Sequence, residues 1–181
     1  TKDDPMTKLL GISGALRKAS TNTALMRQAA EIFAPSRFIQ ADLDLPLYNG
    51  DVEKADGIPA AVQTLADQIK AADAIIIASP EYNKGITGVL KNALDWVSRT
   101  EGGPWAKKPV AIMSAAAGRA GGERSQYALR LALAPFDIDL VQGPEVLIGA
   151  NSSEFDAAGK LTNDRYIATL TTLMEKLRAK L

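Results

Sequence analysis

The chain has 181 residues, of which 46% are hydrophobic and 23% charged, with 21 basic side chains balanced by 21 acidic ones. That profile suits one globular domain with a sizeable core, and no basic tract calls for nucleic acid or an anionic membrane. There is no Cys and no His, which removes thiol nucleophiles, disulfides, Ser-His triads and most zinc or haem sites.

Residues 1–5, TKDDP, read as an expression remnant, and a single domain is expected over 6–181. Neither a signal peptide nor a membrane-spanning run is expected. KLLGIS (8–13) is the first apolar run and reads as a buried strand. SGALRKASTN (13–22) then leads into a helix marked by Leu25, Ala29, Ile32 and Phe33. RFIQADL (37–43) is the second strand, and LYNGDVEKADG (47–57) reads as a surface loop. Val62, Leu65, Ala66 and Ile69 mark the next helix, followed by the third strand AIIIAS (74–79). After SPEYNKGITG (79–88) comes a helix carrying Val89, Leu90, Ala93, Leu94 and Val97. PVAIMSA (109–115) is the fourth strand, SAAAGRAGG (114–122) a glycine-bearing loop, and GGERSQYALRLALA (121–134) a helix. The last apolar region starts at Ile138 and includes EVLIG. NSSEFDAAGKL (151–161) reads as a loop or small hairpin, and Ile167, Leu170, Leu173, Met174 and Leu177 mark the closing helix.

Strand and helix alternate throughout, and the strands ending in Ser are apolar along their length. Strands covered on both faces belong to a parallel sheet between helices. The reading is a doubly wound α/β sandwich, five strands in the order 2-1-3-4-5. Ligands bind such a sheet beyond the carboxyl ends of the strands, where the order reverses between strands 1 and 3.

Three unusual loops fall at that edge. The first ends at a helix start, where unpaired N–H groups and partial positive charge favour anions. Ser13, Ser20, Asn22 and Thr23 add hydroxyl and amide groups and Arg17 a fixed cation, the makings of a phosphate site. It contains neither a Walker A loop nor G-x-G-x-x-G. The same residues also suit a plain N-cap by Ser20 or Asn22 with a solvated Arg17. In the second loop, Pro80, Glu81, Tyr82 and Asn83 precede Gly85 and Gly88, which suits either a flat heteroaromatic ring or a capped turn. The third carries Gly118, Gly121 and Gly122 between Arg119 and Arg124, either a backbone slot for something planar or a simple turn. One phosphate site beside two ring-shaped slots suggests flavin mononucleotide, FMN.

GALRKASTN, ASPEYNKGITGVLKNALDW and GGERSQYALR resemble the signature segments of the NADPH-dependent FMN reductase family. This is a flavodoxin-like group that includes bacterial chromate and quinone reductases and azoreductases. The resemblance runs through the chain after Met6, in order. It implies that Arg17, Ser20 and Asn22, with Ser13 and Thr23, hold the FMN phosphate. It implies that Pro80, Glu81, Tyr82 and Asn83 line the isoalloxazine, and that Ser114 and the loop to Gly118 approach it from the other side. The implied activity passes hydride from NADH or NADPH to FMN and on to a quinone, chromate, ferric chelate or azo acceptor, in turns at one site. Catalysis then rests on the flavin and needs no protein acid, base or metal. Homodimers or homotetramers are common in that family and are expected here, in the cytoplasm. Two departures from its pattern are Ala15, where Ser is usual, and Thr87, where Pro is usual. Glu81, Lys84 and Lys91 read either as a surface ion-pair network, which is the expectation, or as nicotinamide contacts. The alternatives are a flavodoxin-type electron carrier and a non-catalytic module for a phosphorylated ligand.

Overall fold

The structure is a computed structural model and describes residues 7–181; the segment read as a remnant lies outside them. Strand β1 (Lys8–Ser13) leads to helix α1 (Thr21–Phe33), then β2 (Arg37–Gln40), α2 (Gly50–Asp56), α3 (Ala60–Ala71) and β3 (Ala74–Ala78). Next come α4 (Gly88–Val97), β4 (Pro109–Ala115), α5 (Glu123–Leu133), β5 (Asp139–Leu140), β6 (Val146–Ile148) and α6 (Asp164–Arg178). The strands pair in parallel in the order β2-β1-β3-β4-β5, with β6 also on β4, which is the expected order with its last position split.

The split has a local cause. β5 pairs with Pro109 and Val110, whereas β6 pairs with Met113 to Ala115 farther up the same strand. Pro144 lies between them and has no N–H to donate, so a continuous ladder cannot form there. β2 ends at Gln40 rather than Leu43 and is an exposed edge strand.

Side chains of the central strands alternate between two cores. Leu9, Ile76, Ala111 and Met113 pack under α1 and α6. Leu10, Ile12, Ile75, Ile77 and Ile112 pack under α3, α4 and α5. β1, β3 and β4 are therefore buried on both sides, as their unbroken apolar sequences predict.

Two further segments differ from the sequence expectation. The segment 47–57 is partly helical: Asn49 caps α2 by accepting the Asp51 N–H at 2.9 Å, yet α2 buries no residue. It has no apolar stripe, so hydrophobic spacing gives no sign of it. α5 starts at Glu123, since Gly121 and Gly122 have φ of 63° and 91° and cannot be helical. The 151–161 segment does form a small hairpin, with Phe155 bridged to Leu161. No helix of the described residues is long and apolar enough to cross a membrane.

Candidate flavin-binding site

α1 starts directly beyond the carboxyl end of β1, and its first turn is left partly unsatisfied. Ser20 is the N-cap: its Oγ accepts the Thr23 N–H at 3.4 Å and its carbonyl accepts the Ala24 N–H at 3.0 Å. The Ser20 N–H itself donates to the Arg17 carbonyl at 3.0 Å. Between these, the N–H groups of Thr21 and Asn22 have no partner among the described residues. Two open donors at the positive end of a thirteen-residue helix make an anion seat. Arg17 is exposed beside it and forms no ion pair among the described residues.

The other predicted phosphate residues divide into two groups. The hydroxyls of Ser13 and Thr23 lie 2.7 Å apart and cross-link the loop to the helix. Asn22 points inward: its Nδ2 donates to the Ala115 carbonyl at 2.8 Å and its Oδ1 accepts the Ala115 N–H at 2.9 Å. Its side chain therefore ties α1 to the end of β4 and leaves only its main-chain N–H for a ligand. Gly14 lets the loop touch its neighbour. Its N–H donates to the Ala78 carbonyl at 2.8 Å, and a Cβ there would sit 2.5 Å from Ser79 Oγ.

The loop after β3 is a tight hairpin. Tyr82 and Gly85 exchange two main-chain hydrogen bonds of 3.1 and 3.0 Å around Asn83 and Lys84, whose φ values are 50° and 65°. Two successive positive φ values define the type I′ turn. Asn tolerates this conformation, whereas Lys does so at a cost. Pro80 is buried beneath the turn, and Tyr82 stands out with 56% exposure. Glu81 turns towards α5, where its Oε2 accepts the Ser125 N–H at 3.4 Å.

The surface pairing expected of Glu81, Lys84 and Lys91 is not formed. Lys91 pairs with Asp95 one helical turn away at 2.7 Å, Glu81 is taken by the α5 amide, and the Lys84 ammonium has no partner among the described residues. A charged side chain finds its i+4 neighbour more readily than one across a loop. Thr87 serves as N-cap of α4, its Oγ1 accepting the Leu90 N–H at 3.4 Å. The departure from Pro thus supplies a cap instead of ring stiffness.

The third loop is shaped from below. Ser114 has 0% exposure; its Oγ donates to the Gly121 carbonyl at 2.6 Å and accepts from Gln126 Nε2 at 2.9 Å. It sets the path of the Gly121–Gly122 turn and presents no side-chain group to a ligand. Gly121 is required by space as well as by φ, because a Cβ would lie 2.5 Å from the Leu147 carbonyl carbon. Gly118 is exposed, and a Cβ there, as at Gly88, would meet nothing within 4 Å. Both leave room at the edge of the sheet.

Sequence reading passed over several contributors. Thr21 offers an amide, and Asn151 Nδ2 donates to its hydroxyl at 2.7 Å. Together with Ser20, Thr23 and Phe155 they border a cleft of about 410 Å³. Asn92 and Trp96 anchor the segment after β2. Asn92 Oδ1 accepts the Tyr48 N–H at 2.9 Å, and its Nδ2 and Trp96 Nε1 donate to the Pro46 carbonyl at 3.0 and 2.7 Å. Their spacing of four within KNALDW signals one shared helix face. Tyr48 also donates to Glu53, which holds its phenol above the usual range; the same carboxylate raises the Arg99 pKa.

The donor set fits FMN: one seat for a monoester phosphate, an exposed aromatic and amide turn, and an open glycine edge, all beyond the carboxyl ends of a 2-1-3-4-5 sheet. Fold and site together define a flavodoxin-like nucleotide-binding protein. The particular family follows from comparison: the NADPH-dependent FMN reductase family model matches residues 7–152, and the chain belongs to that family. It is 47% identical over 160 residues to an NAD(P)H-dependent FMN reductase of Pseudomonas aeruginosa, covering 87% of this chain and 86% of that protein. It is 40% identical over 152 residues to a quinone reductase of Escherichia coli K12, covering 82% and 81% respectively. A solved flavoenzyme NAD(P)H:(acceptor) oxidoreductase from Paracoccus denitrificans superposes with a TM-score of 0.84 at 30% identity, covering 94% of each chain. The family is one of oxidoreductases that use FMN with NAD(P)H as donor.

Proposed function

We propose that this chain binds one FMN non-covalently, oxidises NADH or NADPH, and reduces a quinone-type acceptor at the same site in alternation. The observation that carries the reading is the pair of open amides at Thr21 and Asn22 beside Arg17, set where the strand order reverses. When bound, FMN supplies the redox chemistry, taking hydride from the nicotinamide and delivering it to the acceptor.

The chain's own groups bind and orient. Thr21 and Asn22 N–H, the Arg17 guanidinium and the Ser20 loop hold the phosphate, with Ser13 and Thr23 bracing the loop. Pro80, Tyr82 and Asn83 present main-chain and ring surface to the isoalloxazine, and Glu81 fixes that turn against α5. Ser114, through Gly121, sets the height of the Gly118 loop on the other side. Exposed Tyr82 leaves the docking surface open to planar substrates in succession, which supports a ping-pong mechanism. Azo compounds are further planar acceptors of this kind, whereas chromate and ferric chelates would take electrons rather than hydride.

We assign 6–181 to a single domain, supported by two cores that flank one sheet. A homodimer or homotetramer is supported by Leu47, 83% exposed, next to exposed Tyr48 and Val52 on the non-burying α2 segment. We place it in the cytoplasm, where NADH and NADPH are available as donors.

Acid precipitation of the purified protein should release FMN, with no flavin left on the pellet. Anaerobic addition of NADPH or NADH should bleach the flavin absorbance directly; a carrier would need a separate reductase. Double-reciprocal plots for quinone at several donor concentrations should be parallel, and intersecting lines would exclude the shared site.

A further inference from the structure

The three loops assigned to the flavin, 14–20, 79–87 and 116–122, carry four cations and one carboxylate. The cations are Arg17, Lys18, Lys84 and Arg119; the carboxylate is Glu81. All four cations are exposed, and none makes an ion pair among the described residues. The single carboxylate is spent on the Ser125 amide. Elsewhere in the described chain, Lys91, Arg99, Lys107, Lys160 and Lys180 are paired with carboxylates, whereas others such as Lys8, Arg37 and Arg165 are in no ion pair, so the absence of a pair alone does not distinguish these loops. What distinguishes them is the local count, four cations against one carboxylate in a chain whose formal charge is zero, which makes this edge locally positive.

Arg17 and Lys18 lie in the phosphate loop. Lys84 does not; it occupies the second central position of the turn that follows Tyr82. Its φ of 65° is a conformation that Gly adopts freely and Lys does not. A second lysine in the same conformation shows how such strain is normally held. Lys107, φ 62°, donates its N–H to the Asp137 carbonyl at 2.8 Å and its Nζ to the Asp137 carboxylate at 2.8 Å. Lys84 is strained without either compensation. The turn closed by Tyr82 and Gly85 requires a positive φ at this position; what the fold does not account for is Lys there in place of Gly, and such a mismatch in a loop at the sheet edge is a pointer to function.

We propose that Lys84 is a specificity-determining residue: its ammonium, carried at the tip of the turn beside Tyr82 and Asn83, pairs with an oxyanion on the substrate that docks against the flavin. The inference rests on the FMN reading above. The oxyanion can belong to the donor, as the 2′-phosphate that distinguishes NADPH from NADH, or to a charged acceptor. Arg119, exposed on the adjacent loop that Glu81 ties to this one through α5, adds to the same field.

The test compares wild-type holoenzyme with Lys84→Met, Lys84→Arg and Lys84→Gly after flavin content has been checked. In the donor arm, calorimetry gives the affinities of oxidised holoenzyme for NADP⁺ and NAD⁺. In the acceptor arm, KM is measured for a naphthoquinone sulfonate and for its uncharged parent. Each arm is read as a ratio within one variant, so a general loss of fold or flavin cancels. In one arm, Lys84→Met should reduce the preference for the anionic member about three- to tenfold, in the range of one exposed charge-assisted contact. Lys84→Arg should retain the preference, and raising salt should erode it in wild type. Lys84→Gly, which also relieves the backbone, should match Met. Ratios unchanged in both arms for Met and Gly would overturn the assignment. If the protein holds no FMN and takes up none, the cofactor reading falls and takes the inference with it.

Discussion

The two ends of the sheet use the same residue types in opposite ways. At the amino-terminal edge several strand entrances are matched. Asp73 accepts the Lys8 N–H at 2.7 Å, and Lys108 Nζ donates to the carbonyls of Lys70 and Ala72, each at 2.7 Å. Lys107 is locked to Asp137, and Lys180 pairs with Asp139 at 2.5 Å. At the carboxyl edge the backbone is just as tightly held, but the outward groups are left open among the described residues: two amides on α1, four unpaired cations and an exposed Tyr82. One end finishes the fold; the other uses its buried polar groups to hold loops still, so that their outer surface stays available. Preorganisation of this kind requires that the buried supports be rigid.

That division can be broken most severely at Asn22. Asn22→Ala removes both bonds to Ala115 and strands a buried N–H and C=O. Each unsatisfied group costs about 1–3 kcal/mol, so a loss of roughly 2–6 kcal/mol is expected in urea unfolding. FMN affinity should fall as well, because α1 loses its register against β4. A stability change near zero would mean that water replaces the amide and that the staple is dispensable.

Gly121→Ala comes next. A Cβ 2.5 Å from the Leu147 carbonyl carbon, at φ 63°, combines overpacking with left-handed strain. A cost of about 2–4 kcal/mol is expected by thermal or urea melts. The neighbouring Gly118, with open space above it, should accept Ala at under about 0.5 kcal/mol.

Arg17→Ala sharpens the comparison from the other side, since nothing in the fold depends on that guanidinium. Unfolding midpoints should not move, whereas FMN binding should weaken by about 1.5–3 kcal/mol, roughly tenfold to a hundredfold. Arg17→Lys should fall between, keeping charge without the fork geometry. Riboflavin, which lacks the phosphate, should bind all three proteins alike; parallel losses for both flavins would show that Arg17 merely shapes the loop.

How much of this was legible in the sequence depends on whether the signal is local. The β1, β3 and β4 runs were readable because burial on both faces leaves no polar positions. Alternation of strand and helix pointed to a doubly wound sheet, and the count of five strands selected the order 2-1-3-4-5 among the common ones, which the structure has. The inward turn of Asn22 and Ser114 was not readable. Both are polar residues in a polar loop, and their partners, Ala115 and Gly121, are main-chain atoms supplied by another part of the fold. α2 escaped notice for a different reason: it buries nothing, so only its Asn49 cap could have signalled it. The use of Glu81 as a cap for α5 needs the two loops to be adjacent in space, which residue types alone do not specify.

A smaller effect separates the two strained lysines. Lys84→Gly removes left-handed strain and no partner, so it should be neutral to stabilising by up to about 1 kcal/mol. Lys107→Gly removes similar strain but also the ion pair to Asp137, and should give less. Equal gains at both sites in urea titrations would mean that the Asp137 contact contributes nothing, and the contrast between the edges would weaken.

The smallest expected effect concerns Lys108. Burial among the ends of α3 and β4 lowers its pKa below the usual lysine value, with Asp73 opposing. A lysine that binds its proton less well when folded is penalised wherever it is charged in both states. Between the lowered folded value and about 10.4 for the unfolded chain, the unfolded state holds more protons, so stability from this group rises with pH. Below that window the penalty is complete and constant. The difference in unfolding free energy between wild type and Lys108→Met should therefore be flat near neutrality and move in favour of wild type as pH approaches about 10. The amount is small, because Lys108 is only partly buried and its Nζ already rests on the Lys70 and Ala72 carbonyls. A difference that moves towards the Met variant with rising pH would show that the ammonium is stabilised by folding, making the Asp73 attraction the dominant influence.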